Sequence, residues 1–588
     1  MDESVRREPV DGAAEAYLRV FADQGVEYFF NSPGSDDSPY WEFLAKHDAT
    51  EESTARSVPT HMNCRHEDVA VNMARGYTTM TGDPQVVKLH GSSGPLHAAM
   101  DINTAYQSSV PMLLLGSHSA THENEQFGGT AGPYYFGYHP PGGHENNVAR
   151  YTKWIANLDT NDNAERRLAR AFRIANASPE GPVLLNISME LSHDRDKTEV
   201  HLPELAPATP PAPDEDAIER IVSTLEAAAN PVILTSRLGR SNADRAALVD
   251  LAEHLHTPVF ETQRKTNNFP MDHPLYMGAT LDQPGADELY HHSDVDLVLV
   301  LDAKTPWYPP HDGAPSDAEI VVVHEEPVQE KFGYWNYPAD LLVTAAPSRL
   351  LATLRERTAA HEGSRSIDWS AAHDAWQRRW DGAIRAGERK TPIDPCLLCH
   401  TVNETLPRDA MVFHEVIVHT PAVSNIVGSH GRNDLFVSRA NRGGLGTGLS
   451  VALGAKLARP DRLATVLMGD GSFHYNSVVA ALGTAQEYDL PLLVVLFNNG
   501  AYESMKFSLQ QRYGDGWAEQ TDTYYGSAIE PDPDYASVAD VWDGFGATVA
   551  DPDALESTLS AAIDAVEAGD VAIVDVRVED GIPDYPTP

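Results

Sequence analysis

The chain holds 588 residues, 42% of them hydrophobic, material for about three cores at roughly 100 to 200 residues per domain. Its 43 basic residues face 86 acidic ones, a formal net charge of −43, and this repulsion excludes nucleic acid and anionic membrane as partners unless a basic patch is concealed. Arginine outnumbers lysine and the acids run along the whole chain, a halophilic-type composition suited to a surface kept soluble at high salt.

The opening stretch "MDESVRREPVDGAAEAY" lacks the apolar core of a signal peptide. No later run approaches the roughly 18 apolar residues that span a bilayer. A soluble, cytoplasmic protein is expected. Three cysteines are too few to staple so long a chain, in keeping with a reducing compartment.

Buried strands are predicted first at "PQVVKLHG", "PMLLLGS" and "PVLLNIS". The segment from Leu202 to Ala217, "LPELAPATPPAPDEDA", is rich in proline and acid, which stiffens the backbone and removes ladder donors, so it marks a boundary. "PVILTS", "DLVLVLDA" and "AEIVVVHEEP" follow, separated by amphipathic segments such as "ADRAALVDLAEHLH". From His361 to Pro395 the chain turns polar but keeps tryptophans at helical spacing, which predicts a linker helix packed on a neighbour. "LATVLMGDG", "PLLVVLFNN" and "VAIVDVRV" complete the set. Continuous apolar strands alternating with amphipathic helices indicate parallel sheets covered on both faces. The expected fold class is therefore α/β, three consecutive doubly wound parallel-sheet domains at residues 1–200, 214–358 and 396–588, with a linker at 359–395.

"CLLCH", Cys396 to His400, matches the attachment pattern of c-type haem. Without an export signal, and with Cys396 and Cys399 three apart on an apolar helix face, the two thiols read better as small core hydrophobes.

The strongest chemical signal lies in the last domain. In sheets of this kind ligands bind beyond the carboxyl ends of the strands, and Asp470, between two glycines, follows "LATVLMG" at such an end. Asn498 and Asn499 end the next apolar run. A carboxylate and an amide carbonyl at neighbouring strand ends are hard oxygen donors suited to a small divalent cation, and magnesium would complete its octahedron with phosphate oxygens and water. Gly471 and Ser472 then open a helix whose amides can receive those phosphates. Taken alone, Asp between glycines is as often a plain turn.

Order and spacing add to this. "GDG", then 26 residues from Ser472 to Phe497, then "NN" resembles the thiamine diphosphate signature. Over nearly its whole length the chain resembles the family of benzoylformate decarboxylase, acetolactate synthase and pyruvate decarboxylase, whose domains run pyrimidine-binding, central, diphosphate-binding. The resemblance implies thiamine diphosphate and Mg2+ as cofactors, with Asp470, Asn499 and the main-chain carbonyl of Ala501 as metal ligands and Tyr502, Gly471 and Ser472 among the cofactor contacts. It implies that Glu67, in "CRHEDVAVNMARGYTTMTGDP", activates the pyrimidine by sharing a proton with its ring nitrogen. Gly443 and Leu445, in "SRANRGGLGTGLSVALGAKLARPDR", match the glycine carbonyl that accepts the pyrimidine amine and the apolar wedge between the rings. The chain departs from the family at "FHEVIVHTP", where Ile417 and Val418 replace small polar residues. His419 there aligns with a histidine of the acetolactate synthase pattern that could cover the diphosphate.

Two segments resemble benzoylformate decarboxylase more narrowly. "FFNSPGSDDSPY" places Ser35 at that enzyme's substrate-binding serine, and "VKLHGSSGPLHAAM" places His90 at its catalytic histidine. A histidine beyond a strand end can move protons near neutral pH. His311, in "VLVLDAKTPWYPPHDG", is a further candidate whose register differs by two residues. The flavin-binding arginine and paired aspartates of acetolactate synthase are replaced here by "DAKTPWYPPH", so FAD is not expected. The function implied is non-oxidative decarboxylation of a small-molecule 2-oxo acid through a ylide and an enamine. A flavin-free acetolactate synthase-like carboligase stands second, because one enamine can take either a proton or a second carbonyl. A cofactor-binding scaffold without catalysis stands third. The family builds its site from the first and third domains of different subunits, implying a homodimer or homotetramer. The loop at 121–147 would suit a cover over the site or a plain surface loop.

Overall fold

The computed structural model describes residues 6–50, 57–91, 93–118, 144–279, 294–307, 315, 317–333, 335–361, 365–429, 434–437, 444–583 and 585–586. They form two compact units: Met1–Thr209 with Arg439–Asp461 and Asn476–Leu490, and Pro210–Ser438 with Arg462–Tyr475 and Pro491–Pro588.

The first unit is built on a six-stranded sheet ordered Thr60–Asn63, Tyr28–Asn31, Gln85–Leu89, Met112–His118, Pro182–Ser188, Trp154–Leu158. Every pair is parallel. "PVLLNIS" is buried at all seven positions, the pattern of a strand covered on both faces. A small antiparallel ribbon, Arg6–Pro9 on Glu199–Leu202, stands beside it. The strand order reverses between Tyr28–Asn31 and Gln85–Leu89, the switch point where α/β sheets open a crevice.

The helix Glu67–Thr81 is capped by the His66 side chain accepting from the Asp68 amide and stopped by Gly82 at φ +84°. It crosses the helix Gly448–Ala458 at van der Waals range of their backbones. A Cβ on Gly76 would fall 2.0 Å from Val451 O, and one on Gly454 would fall 1.9 Å from Met73 O, so each glycine seats the other helix. Beneath this crossing Asn72 donates to Asp101 at 2.7 Å, both side chains being buried.

The second unit carries two further sheets, each of six parallel strands. One runs Tyr276–Ala279, Val259–Glu261, Pro231–Thr235, Leu297–Leu301, Glu319–His324, Leu341–Thr344, the doubly wound order 3-2-1-4-5-6. The other runs Leu435–Val437, Met411–Glu415, Ala464–Gly469, Leu493–Asn498, Ala572–Arg577, Phe545–Val549, the same order as the sheet of the first unit. One apolar cluster, including Trp376 and Trp380 of the helix Trp369–Gly387, serves both. The linker tryptophans thus pack inward, as their spacing predicts. Cys396 and Cys399 are buried on the helix Pro395–Thr405, and burial pushes both thiols up. Among the described residues no helix is long and apolar enough to cross a membrane.

Two outcomes follow from this packing. Gly454→Ala is expected to cost about 1–3 kcal/mol through overpacking, whereas Gly382→Ala, inside a helix and facing open space, is expected to gain about 0.5–1 kcal/mol. Thermal unfolding of both variants separates them. Asp101 is raised by burial to about 7 from 3.8. The folded chain therefore holds its proton more tightly, and the stability of that protonated form, full below the lower value, is lost as pH rises through the upper one. Asp101→Asn, neutral throughout, should raise Tm near pH 8, the gain shrinking as pH falls toward the lower value and vanishing only below it.

Candidate functional site

In the last sheet the register pairs Gly469 with Phe497, so Asp470 and Asn498 leave the sheet side by side. Asp470 is 2% exposed. Its Oδ1 accepts from the Gly471 amide at 2.7 Å and its Oδ2 from the Gly500 amide at 2.8 Å. Gly500 reaches this position at φ +69°, a conformation that favours glycine. The two asparagines divide their work. Asn498 is buried, donates to Asp575 Oδ1 at 2.8 Å and accepts from the Gly500 amide at 3.0 Å. Asn499 is half-buried, and its Nδ2 turns toward Glu503 Oε2 at 3.4 Å while its Oδ1 faces the Ala501 amide at 3.4 Å.

Ala501 forms an antiparallel bridge with Ala528. The bonds of that bridge run from Ile529 N to Gly500 O at 2.9 Å and from Tyr502 N to Ser527 O at 2.7 Å, so Ala501 is the non-bonded partner and its own carbonyl points away from Ala528. Burial pushes Asp470 up to about 6 against the pull of the glycine amides, and Glu503, likewise by burial, up to about 7. A carboxylate under this pressure, an amide oxygen and a peptide carbonyl are a donor set that fits a small hard divalent cation.

The expected helix after Asp470 is a correction. It is a single turn, Asp470–Phe473, and the next helix, Val478–Glu487, belongs to the first unit. The Gly471 amide is taken by Asp470 itself, and Ser472 Oγ donates to Glu415 O at 2.8 Å across the switch point of this sheet. The ring of Tyr502 lies where a Cβ on Gly471 would be, at 2.7 Å. His419 is 2% exposed, its Nδ1 is 2.7 Å from the Tyr585 hydroxyl, and it stacks on Phe497. Burial lowers it to about 4, so it is a neutral packing ring held inward.

In the first unit, Glu67 opens its helix at 8% exposure. Its Oε2 lies 3.3 Å from His97 Nδ1 and 3.9 Å from His66 Nδ1. The two imidazoles stack at 5.6 Å with 6° between planes, and the three side chains could together hold a metal ion. Asp68 beside them accepts from Ser477 Oγ at 2.6 Å. The sequence reading missed His66 and His97, although His66 directly precedes Glu67 in "RHED". Ser35 and His90 follow the two strands that flank the switch point, Ser35 exposed and His90 half-buried with its Nδ1 bonded to Asp36 Oδ1. Leu445 is half-buried, before Gly446 at φ +96°. Gly443, His311 and most of the 121–147 loop lie outside the described residues.

Three family profiles match the chain: thiamine pyrophosphate enzyme N-terminal TPP-binding domain at 12–135, central domain at 218–354, and C-terminal TPP-binding domain at 419–576. The acetolactate synthase isozyme 3 large subunit of Escherichia coli is 25% identical over 97% of this chain and 96% of its own. A probable 2-ketoarginine decarboxylase of Pseudomonas aeruginosa is 27% identical over 83% and 82%. The crystal structure of benzoylformate decarboxylase from Polynucleobacter necessarius matches with a TM-score of 0.78 over 98% of this chain and 100% of its own at 19% identity, a likeness of fold. The 4-hydroxybenzoylformate decarboxylase of Rhodococcus jostii gives 0.75 over 97% and 99% at 21% identity.

From the donor geometry, Asp470→Asn is expected to lower Mn2+ affinity of the full-length protein at least about tenfold, whereas Ala501→Ser, which keeps the carbonyl, leaves it unchanged. Electron paramagnetic resonance of free Mn2+ reads both.

Proposed function

The chain belongs to the thiamine pyrophosphate enzymes, the family of 2-oxo acid decarboxylases and acetolactate synthases, and from that premise we propose that it carries out magnesium-dependent, non-oxidative decarboxylation of a 2-oxo acid. The observation that carries the decarboxylase reading is the placement of Ser35 and His90 at the two strand ends of one switch point. The named relatives include decarboxylases on both the sequence and the fold side.

When bound, the cofactor supplies an electron sink for the carbon that loses its carboxylate. The residues of the chain do the rest. Asp470, Asn499 and the Ala501 carbonyl would hold Mg2+, and through it the diphosphate. Glu67, at the start of its helix, would share a proton with the pyrimidine nitrogen. Leu445 would pack against the cofactor, and Ser35 would orient the substrate carboxylate. His90 moves a proton at the substrate's carbonyl oxygen. A homodimer or homotetramer is the assembly this reading expects.

A flavin-free carboligase is the second reading, favoured by the acetolactate synthase match over nearly the full length of both chains. Product balance separates the two. With thiamine diphosphate and Mg2+ at high salt, a panel of pyruvate, benzoylformate and longer 2-oxo acids should yield one aldehyde per CO2. One acetohydroxy acid per CO2 would establish the ligase, and cofactor uptake without any CO2 a scaffold. Glu67→Gln should lower turnover by about 10^2 to 10^4-fold, the usual share of acid–base catalysis.

A further inference from the structure

On the strand Gln85–Leu89 that His90 follows, Lys88 is buried at 2% exposure, with Asp36 at 2% and Asp37 at 0% against it. Its Nζ donates to Asp36 Oδ2 at 2.8 Å and to Ser117 Oγ at 2.8 Å, and lies 2.6 Å from Asp37 Oδ1. Asp37 is fixed in turn by Asn31 Nδ2 at 2.9 Å and the Gly34 amide at 2.8 Å. One ammonium and two carboxylates leave a negative charge in excess, and an uncompensated buried charge is costly. The other oxygen of Asp36 meets Nδ1 of His90. An imidazolium there brings the cluster to neutrality. Gly34 makes room for the ring: a Cβ would fall 1.8 Å from Nδ1 and 2.5 Å from Asp36 Oδ1.

Resting on the 2-oxo acid reading, we propose that Asp36, clamped by Lys88, is a positioning residue that keeps His90 protonated and makes it the proton donor of the site through Nε2. The ring nitrogen that faces a ligand is set by the bond the other one makes. With Nδ1 on Asp36, Nε2 at the opposite edge is the one presented to substrate. The Nε2–H bond breaks with its electrons staying on the ring, and the proton forms an O–H bond at the substrate carbonyl oxygen as that oxygen gains electrons. The neutral imidazole recovers the proton when the product carbonyl re-forms.

The charges facing the ring agree with this. The hydrogen bond to Asp36 raises His90, burial opposes it, Asp37 adds to the rise and Lys88 subtracts. Burial alone would raise Asp36, yet Lys88 and His90 hold it far below the carboxylate range. Burial would likewise lower Lys88, but the two aspartates push it up to about 12.

Diethylpyrocarbonate acylates neutral imidazole and spares imidazolium, so peptide mass spectrometry of the full-length protein, with no cofactor or substrate, titrates His90 directly. In the native chain its midpoint should lie above that of the exposed histidines in the same digest. In Asp36→Asn the midpoint should fall to theirs and acylation near neutral pH should quicken several-fold. A native midpoint at or below the exposed histidines overturns the proposal whether or not the variant folds, as does an unchanged midpoint in folded Asp36→Asn. In turnover the alkaline limb should move to lower pH in the variant, kcat changing more than KM. An absence of 2-oxo acid turnover beside the expected titration removes the functional reading and leaves the pairing supported.

Discussion

A single buried carboxylate ties together the chemistry-bearing end of the last sheet. Asp470 accepts one amide from its own turn and one from Gly500, thirty residues along. It can do so because parallel pairing brings both strands to their ends at the same level. A register slip of one residue would exchange the roles of Asn498 and Asn499, sending the Asn499 amide into the contact with Asp575 that now anchors the strand. The left-handed turn at Gly500 and the bridge of Ala501 with Ala528 follow from the same constraint. They bring an amide onto the acid and turn a peptide carbonyl away from its bridging strand.

The first and last sheets share one strand order and so offer the same crevice twice. The uses differ. In the last sheet the switch point is closed from within, Ser472 bonded to Glu415, and the donors gather one strand further out. In the first sheet the switch point itself carries the polar groups, Ser35 on one side and His90 on the other, over a buried lysine and two aspartates. Local chemistry at equivalent strand ends, rather than the fold, distinguishes the two.

Much of this was legible in the chain. Apolar runs such as "PVLLNIS" and "PLLVVLFNN" read as covered parallel strands because burial on both faces leaves no polar alternation. The separation of Asp470 from Asn499 was readable because each directly ends such a run. What escaped was contact between segments far apart in sequence. Nothing in "PGSDDSP" says which aspartate turns to His90, since that depends on two strands meeting at the reversal of order. His97 next to Glu67 is hidden for the same reason. The helix expected after Asp470 stops after one turn, and Asn476 and Ser477, just beyond it, already belong to the first unit, where they bond to Leu449 and Asp68. His419, which aligns with a histidine of the acetolactate synthase pattern, is held inward by the Tyr585 hydroxyl and Phe497, contacts that no local pattern announces.

The reciprocal seating of Gly76 and Gly454 joins a helix from the beginning of the chain to one made far later. The unit they share also draws on the stretch Asn476–Leu490. During synthesis, the sheet that holds Ser35 and His90 waits with one helix face uncovered while more than two hundred intervening residues are made. Its completion is therefore timed by the ribosome's passage beyond residue 490, and a truncated product ending in the central sheet would expose that face to chaperones.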